Sequence, residues 1–238
     1  MSGEQLSDAS KVEVRRTADG SATLYVPALD EHYHSRHGAR QESEHVFIEA
    51  GLLPRLEAGL GGPGRLLRLL EVGLGTGLNA LLTLSRAQTA GATVAYDALE
   101  TVPLSAAVVA ELAGEWGAEL PELVKLLREL HAAPWAETHP LAAHFFLTKL
   151  LQPLQTAHLP ANYYDLIYFD AFAPEKQPEL WSEAIFQRLY AAAAPGAVLV
   201  SYCAQGQFRR NLRAAGWLAK RRPGPPGKRE MTWASKSK

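Results

Sequence analysis

Apolar residues along this chain fall into two kinds of stretch. Some are short, nearly continuous runs: Leu66 to Val72, Thr93 to Leu99, Phe145 to Leu151, Tyr164 to Phe169 and Ala197 to Tyr202. Others are longer and set Leu, Ala and aromatic residues at helical spacing: Glu42 to Leu53, a stretch from Ser105, another around Leu120 to His131, and Pro178 to Ala192. A continuous apolar run predicts a strand covered on both faces, because a strand with one wet face would alternate. Strands that alternate with helices predict an α/β fold, with helices packed on both sides of a doubly wound, mostly parallel sheet. Val12 to Arg16 and Thr23 to Val26, flanking Asp19-Gly20, predict a small hairpin ahead of it. A Gly/Pro break at Gly61 to Gly64 then separates two expected parts. Residues 1–60 form an N-terminal hairpin and helix extension packed on the main domain, which is 61–238. No internal repeat is visible, and the Ala-rich patches read as helix rather than linker.

The segment Glu71-Val72-Gly73-Leu74-Gly75-Thr76-Gly77-Leu78-Asn79 lies where the first apolar run ends and a helix-like run begins. Glycines at alternate positions let the backbone turn tightly and approach a ligand, while N–H groups opening a helix face an electronegative group. Dinucleotide enzymes space their third glycine one residue further on. The tighter spacing preceded by Glu71 resembles the first motif of S-adenosylmethionine-dependent methyltransferases. The run Thr93 to Leu99 then ends at Glu100, about twenty residues further along, where such folds put the carboxylate that accepts two ribose hydroxyls. Capping of an exposed strand end is the other reading of Glu100.

A second strand end carries the candidate chemistry. Tyr164 to Phe169 stops at Asp170, and ligand crevices in doubly wound sheets lie beyond the carboxyl ends of strands. Asp170 is therefore expected in the site, although it could instead cap the following helix. Pro174 and Pro178 stiffen the intervening loop and lower the ordering cost of gripping a substrate.

Composition narrows the setting. A chain of 238 residues with 47% hydrophobic content can bury a full core in one α/β unit. The polar start Met1 to Lys11 has no secretory pattern and no apolar run is long enough for a bilayer, so a cytoplasmic protein without membrane contact is expected. The lone Cys203 sits in the apolar run Ala197 to Cys203 and reads as a buried strand residue rather than a nucleophile. Net charge of −1 conceals ten Lys or Arg against one acid from Ser201 to Lys238, a local +9 that leaves −10 elsewhere. Such a basic end suits a phosphate backbone, or is a solvated tail. His32, His34, His37 and His45 lie close in sequence, but no cysteine or compact carboxylate set completes a metal site, and none is expected. They read instead as lining an entrance beside Tyr33, or as hydrogen-bonding within the N-terminal addition.

Three runs together resemble one family: Gly-Leu-Gly-Thr-Gly-Leu-Asn (Gly73 to Asn79), Asp-Ala-Phe-Ala-Pro-Glu-Lys-Gln-Pro-Glu-Leu-Trp (Asp170 to Trp181) and Pro-Gly-Pro-Pro-Gly-Lys-Arg-Glu-Met (Pro223 to Met231). With Tyr33-His34-Ser35, Gly38-Ala39 and Glu42 to Ile48, they look like the MnmC-type methyltransferases in their stand-alone MnmD form, over nearly the whole chain. The resemblance implies a class I S-adenosylmethionine-dependent methyltransferase fold of Rossmann-like type. It implies methylation of the primary amine of 5-aminomethyl-2-thiouridine at the tRNA wobble position, giving 5-methylaminomethyl-2-thiouridine. It places Glu71, Gly73, Gly75, Thr76, Gly77 and Asn79 around the methionine part of the cofactor, Glu100 at its ribose, and Asp170 as catalytic residue beside it. Tyr33, Ser35, Glu44, His45, Phe172, Ala173, Pro174, Lys176, Trp181, Lys228, Arg229, Glu230 and Met231 are expected around the modified uridine. Arg209, Arg210 and Arg221 are expected on the tRNA backbone near the anticodon arm. Many relatives of this fold carry an acid for the adenine after their fourth strand. Leu147 to Gln152 offers none, so adenine contacts are expected from backbone or Gln152.

The family's two-domain members fuse a flavin-dependent oxidase to this part. The sequence ends seven residues after Met231, so separate enzymes are expected to install the aminomethyl and 2-thio groups. Two other functions remain open on sequence: N-methylation of another nucleic-acid or small-molecule amine, and a non-catalytic module that binds S-adenosylmethionine or RNA.

Overall fold

The computed structural model describes residues 12–117 and 121–237. The start Met1 to Lys11, Leu120 and Lys238 lie outside the described residues. The chain begins with β1 (Glu13–Arg16), β2 (Ala22–Val26) and β3 (Glu31–His32), an antiparallel sheet in the order β1-β2-β3. Asp19, in the β1–β2 turn, accepts hydrogen bonds from the Thr17 and Ser21 hydroxyls and from the Gln41 amide, which ties this sheet to the helix that follows.

That helix has three parts: α1 (Ala39–Ser43), a π-helical stretch (Glu44–Leu52) and α2 (Leu53–Glu57). Its wide central turns bury Val46, Phe47, Ile48 and Leu52, with the Phe47 ring 5.1 Å from that of Tyr168 on the sheet. The helix expected over Glu42 to Leu53 thus starts earlier and is not α-helical through its middle. Wide π turns of this kind occur often beside functional sites.

The main sheet follows: β4 (Leu67–Val72), α3 (Leu78–Ala90), β5 (Val94–Glu100), α4 (Ala106–Trp116), α5 (Pro121–Ala132), β6 (Thr138–Ala142), β7 (Phe145–Leu151) and β8 (Tyr164–Phe169). Then come α6 (Glu183–Ala192), β9 (Ala193–Ser201), α7 (Gly206–Ala214), β10 (Leu218–Pro223) and β11 (Glu230–Ser235). The eight strands lie in the order β10-β11-β9-β8-β4-β5-β7-β6. The five apolar runs are the parallel middle, β9-β8-β4-β5-β7, and antiparallel strands close both edges. The strand order reverses at β4, whose neighbours are β5 and β8, so a crevice opens beyond the carboxyl ends of β4 and β8.

Helices bury the sheet on both faces. One face packs Leu67, Leu69, Tyr96, Leu147 and Tyr168 against α3 and the π-helical stretch. The other stacks Phe169, Trp181, Phe186 and Phe208, with the Trp181 ring 4.9 Å from both Phe169 and Phe208.

Three boundaries differ from the sequence pattern. Pro178–Trp181 is a short 3-10 turn and Ser182 is extended, so only Glu183 onward is α-helical. The last parallel strand begins at Ala193 rather than Ala197, with Pro195 and Gly196 (φ +78°) accommodated at an irregularity in its pairing with β8. Cys203 is buried, as expected, but just past the end of β9, and burial raises its thiol pKa to about 11. Among the described residues, no helix is long and apolar enough to cross a membrane.

Candidate active site

A cavity of about 790 Å³ occupies the crevice, roofed by the N-terminal sheet and floored by the ends of β4, β5 and β8. Its size suits a nucleoside-bearing cofactor together with a second ligand. Two chain crossings fix the floor. The Gly73 amide donates to Leu99 O and the Asp170 amide to Val72 O, which stitches three strand ends together. A side chain at Gly73 would bring its Cβ within 2.6 Å of Asp170 O, and its φ of +91° favours glycine in any case. At Gly75, with φ of +52°, a Cβ would come within 2.8 Å of the Tyr33 ring. The loop is therefore bare backbone pressed between a strand end and an aromatic wall.

Glu100 lies at one end of the cavity. Its Oε2 accepts from the Gly75 amide at 3.0 Å, and its Oε1 from the Thr101 and Val102 amides at 2.7 and 2.9 Å. These bonds hold the carboxylate rigidly while leaving lone pairs for ligand hydroxyls. Leu151, Gln152, Pro153 and Leu154 line the wall beside it.

Asp170 lies at the other end. Asn79 spends both amide hydrogens here, donating to Asp170 Oδ2 at 2.8 Å and to Glu71 Oε1 at 2.9 Å. Burial pushes the Asp170 carboxyl up to about 7 and the charge of Glu42 adds to this, while the Asn79 hydrogen bond and Lys228 pull it back. Glu71 is fully buried behind it, and burial raises its carboxyl well above the usual range. A neutral Glu71 can accept from Asn79 without adding a full charge beside Asp170. Tyr33, Phe172 and Tyr202 surround this end, with Tyr33 edge-on to Phe172 at 5.1 Å and the Tyr202 hydroxyl donating to Ala171 O at 2.9 Å.

Of the residues expected around the cofactor, Gly73, Gly75, Thr76, Glu100, Gln152 and Asp170 line the cavity. Glu71, Gly77 and Asn79 do not: they lie beneath the floor, where Glu71 and Asn79 orient Asp170 and Gly77 packs on Leu130. Of those expected around the substrate, Tyr33, Ser35, Phe172, Ala173 and Lys228 line it.

The others do not line the cavity. Glu44 points outward to Arg86, its Oε2 3.1 Å from the guanidinium, because the helix turns it past the crevice. His45 donates from Nε2 to Pro223 O at 2.9 Å and clamps the β10–β11 turn. Trp181 is 4% exposed, and its indole N–H donates to Phe172 O at 2.9 Å, so it supports the wall from within the core. Pro174 and Lys176 lie off the wall, in a turn closed by the Lys176 amide on Ala173 O. Arg229 and Glu230 are also off it, and Met231 is fully buried because β11 has entered the sheet.

The expected tRNA-contacting arginines separate as well. Arg209 is 5% exposed and its guanidinium lies 3.4 Å from Glu230, so it is a buried anchor rather than a phosphate contact. Arg210 is exposed, bonded to Gln207, and Arg221 reaches Glu230 at 3.3 Å from a largely exposed position. Lys220 and Arg222 flank the Trp233 ring at 6.0 and 4.5 Å on the edge of the sheet.

Sequence reasoning missed Glu42, Gln177, Glu179 and Leu180, which line the cavity. Glu42 is buried, with Oε2 accepting from the Ser35 amide at 2.7 Å and Oε1 paired with the Lys228 ammonium. Its signal was present but ambiguous, since Glu42, Glu44 and Glu49 share one helical stretch. Among the histidines, His32 and His34 line the cavity, and burial lowers His34 to about 4, which keeps it neutral. Among the described residues, no three metal-ligating side chains converge.

The family described as S-adenosyl-L-methionine-dependent methyltransferase matches residues 126–237. The tRNA 5-methylaminomethyl-2-thiouridine biosynthesis bifunctional protein MnmC of Pseudomonas aeruginosa is 34% identical over 223 residues, covering 86% of this chain and 32% of that protein. The protein of the same name from Ralstonia nicotianae is 34% identical over 222 residues, covering 90% and 33%. The chain thus spans about a third of the length of the curated relatives it matches. Among solved structures, MnmC2 from Aquifex aeolicus superposes with a TM-score of 0.76 at 25% identity, covering 94% of this chain and 70% of that one. Spermidine synthase from Thermotoga maritima, with a TM-score of 0.60 at 13% identity and coverage of 95% and 69%, shares the fold.

Proposed function

The chain belongs to the MnmC-type S-adenosyl-L-methionine-dependent methyltransferases, and from that premise we propose that it methylates the primary amine of 5-aminomethyl-2-thiouridine at the wobble position of tRNA. The observation that carries this reading is one cavity with Glu100 at one end and an ionisable Asp170 at the other.

The residues present fit the cofactor. The loop from Gly73 to Thr76 lines the cavity, and the anchored Glu100 carboxylate suits a ribose diol. Leu151 to Leu154, with Gln152 among them, offer an apolar wall with one amide for the adenine. When bound, S-adenosylmethionine supplies a methyl group activated by its positive sulfur.

Asp170 does the work at the other end. With its carboxyl near 7, it is substantially ionised at neutral pH yet able to hold a proton, the balance a general base requires. It accepts a hydrogen bond from the amine, aims the nitrogen lone pair, and takes the proton that leaves as the new bond forms. Asn79 holds the carboxylate in one orientation, so little reorganisation is needed during the reaction. Tyr33 and Phe172 give flat apolar faces for a uracil ring, and the Trp181 indole holds Phe172 in place from below. Positioning of two bound reactants contributes roughly 7–11 kcal/mol to such a step.

For tRNA, the reading favours the β10–β11 edge over the arginine set expected from sequence. Lys220, Arg222 and Trp233 combine cations with an aromatic face, and the turn of the same hairpin carries Lys228 into the cavity. A tRNA strand following that edge would deliver its nucleoside past Lys228 toward Asp170.

The test is methyl transfer from labelled S-adenosylmethionine to tRNA that carries aminomethyl-thiouridine, followed by nucleoside mass spectrometry. One methyl on the side-chain nitrogen is expected. No incorporation, or a methyl on a ring atom or another nucleoside, overturns the reading.

A further inference from the structure

A buried acid in the cavity is used neither by the glycine loop nor by Asp170 itself. Glu42 is 5% exposed, on α1, and one of its oxygens is fixed by the Ser35 amide at 2.7 Å. The other is paired with the ammonium of Lys228, which also lies 4.4 Å from the centre of the Tyr202 ring. A carboxylate and an aromatic face that together hold an ammonium are a site built for an aliphatic nitrogen. Lys228 enters it from the β10–β11 turn with its side chain 32% exposed, so its flexible stem can withdraw toward solvent.

We infer that Glu42 is a second carboxylate contact for the acceptor amine, with Lys228 occupying that place until the amine arrives, so that transfer stops at one methyl. The inference rests on the proposed reading of the site. Its logic is a count of hydrogens. A neutral primary amine that points its lone pair at a methyl carbon has two N–H groups left, and Asp170 and Glu42 are two acceptors for them. During transfer the nitrogen–carbon bond forms, the carbon–sulfur bond breaks with its electron pair left on sulfur, and one proton passes from nitrogen to Asp170. The product is a secondary amine with one N–H. To react again it would have to turn its methyl toward one acid, leaving a buried carboxylate without a partner, which is costly.

Glu42, Lys228 and Asp170 line the same cavity, and the charges around Asp170 agree with that placement. Glu42 on α1 raises its pKa and Lys228 on the β10–β11 turn lowers it; Asn79 on α3 bonds it, while Glu71 on β4 and Tyr202 past β9 have their own pKa values raised in part by its charge. Replacing Glu42 and replacing Lys228 should therefore move the acid limb of activity in opposite directions.

The experiment compares wild type, Glu42→Gln and Lys228→Met on tRNA carrying either the aminomethyl or the methylaminomethyl group. Glu42→Gln keeps an oxygen for the Ser35 amide. It is expected to leave S-adenosylmethionine affinity unchanged by calorimetry and to raise KM for the primary amine roughly tenfold. It is also expected to weaken cofactor-free binding of aminomethyl tRNA relative to unmodified tRNA, and to yield dimethylated nucleoside. Its acid limb moves to lower pH, that of Lys228→Met to higher pH. A folded Glu42→Gln enzyme with wild-type KM, wild-type tRNA preference and no dimethyl product overturns the inference. Should Glu42→Gln not fold, Lys228→Met decides it: an acid limb unmoved or moved to lower pH overturns it. A wild-type enzyme that methylates no aminomethyl tRNA instead overturns the proposed function.

Discussion

The two ends of the cavity are built on opposite principles. At the Glu100 end the protein satisfies itself: three backbone amides fix the carboxylate. At the Asp170 end it does not. Two acids, Asp170 and Glu42, share a partly buried place with one lysine, and Asp170 is pushed up to about 7. One end is a finished mould for binding, whereas the other keeps an electrostatic cost that a substrate amine can relieve. The contrast follows from where each acid stands. Glu100 ends β5 next to a turn of backbone amides, while Asp170 ends β8 above a floor whose one side-chain donor, Asn79, is shared between Asp170 and Glu71.

The largest expected effect is at the finished end. Glu100→Ala removes both proposed ribose acceptors and releases three backbone amides, so S-adenosylmethionine affinity should fall by about 2–4 kcal/mol in a protein that still folds. Calorimetry measures it, and unchanged affinity would dissolve the distinction between the two ends.

Next in size is the acid limb of the reaction. As the proposed base, Asp170 must be ionised to accept a proton, so single-turnover rates should fall about tenfold per pH unit well below 7, while cofactor affinity is expected to stay level. A parallel fall in both would mean that Asp170 serves binding too.

The basic hairpin sharpens the contrast from outside the cavity. Arg222→Ala and Lys220→Ala should each weaken tRNA binding and lower its salt slope by roughly one. Arg209→Ala should instead cost about 1–3 kcal/mol of stability with the slope unchanged, since Arg209 is buried on Glu230. Filter binding across a salt series and thermal melts separate these outcomes.

The smallest effect concerns stability. The Asp170 pKa is raised on folding, so its contribution is fully present below its ordinary 3.8 and is lost as pH rises through about 7. Asp170→Asn should therefore melt above wild type at pH 8, with the gap narrowing at pH 5. A gap that widens on acidification would contradict the raised pKa.

What the sequence made legible follows the same division. β4, β5 and β8 lie inside the sheet and so are nearly continuous apolar runs, and their ends mark Gly73, Glu100 and Asp170 without any tertiary knowledge. Glu42 was legible only ambiguously. Its neighbours Glu44 and His45 looked equally apt, the π turns that follow remove the helical phase that would choose among them, and its partner Lys228 lies 186 residues away. Edge strands were hidden for a different reason. β10 reads Leu-Ala-Lys-Arg-Arg-Pro, a charged edge sequence that discourages pairing with other chains, and β6 contains Pro140 at a bulge. Arg209 looked like surface because its charge is visible in sequence while the burial of its helix face against Glu230 is not.

Asp170→Asn tests the central contrast most directly when two quantities are measured on one preparation. The substitution keeps the shape and an acceptor for Asn79 but removes the charge. The account predicts S-adenosylmethionine affinity close to wild type and a single-turnover rate on aminomethyl tRNA lower by roughly a hundredfold or more. A near-normal rate, or a loss of cofactor affinity as large as the loss of rate, would contradict it.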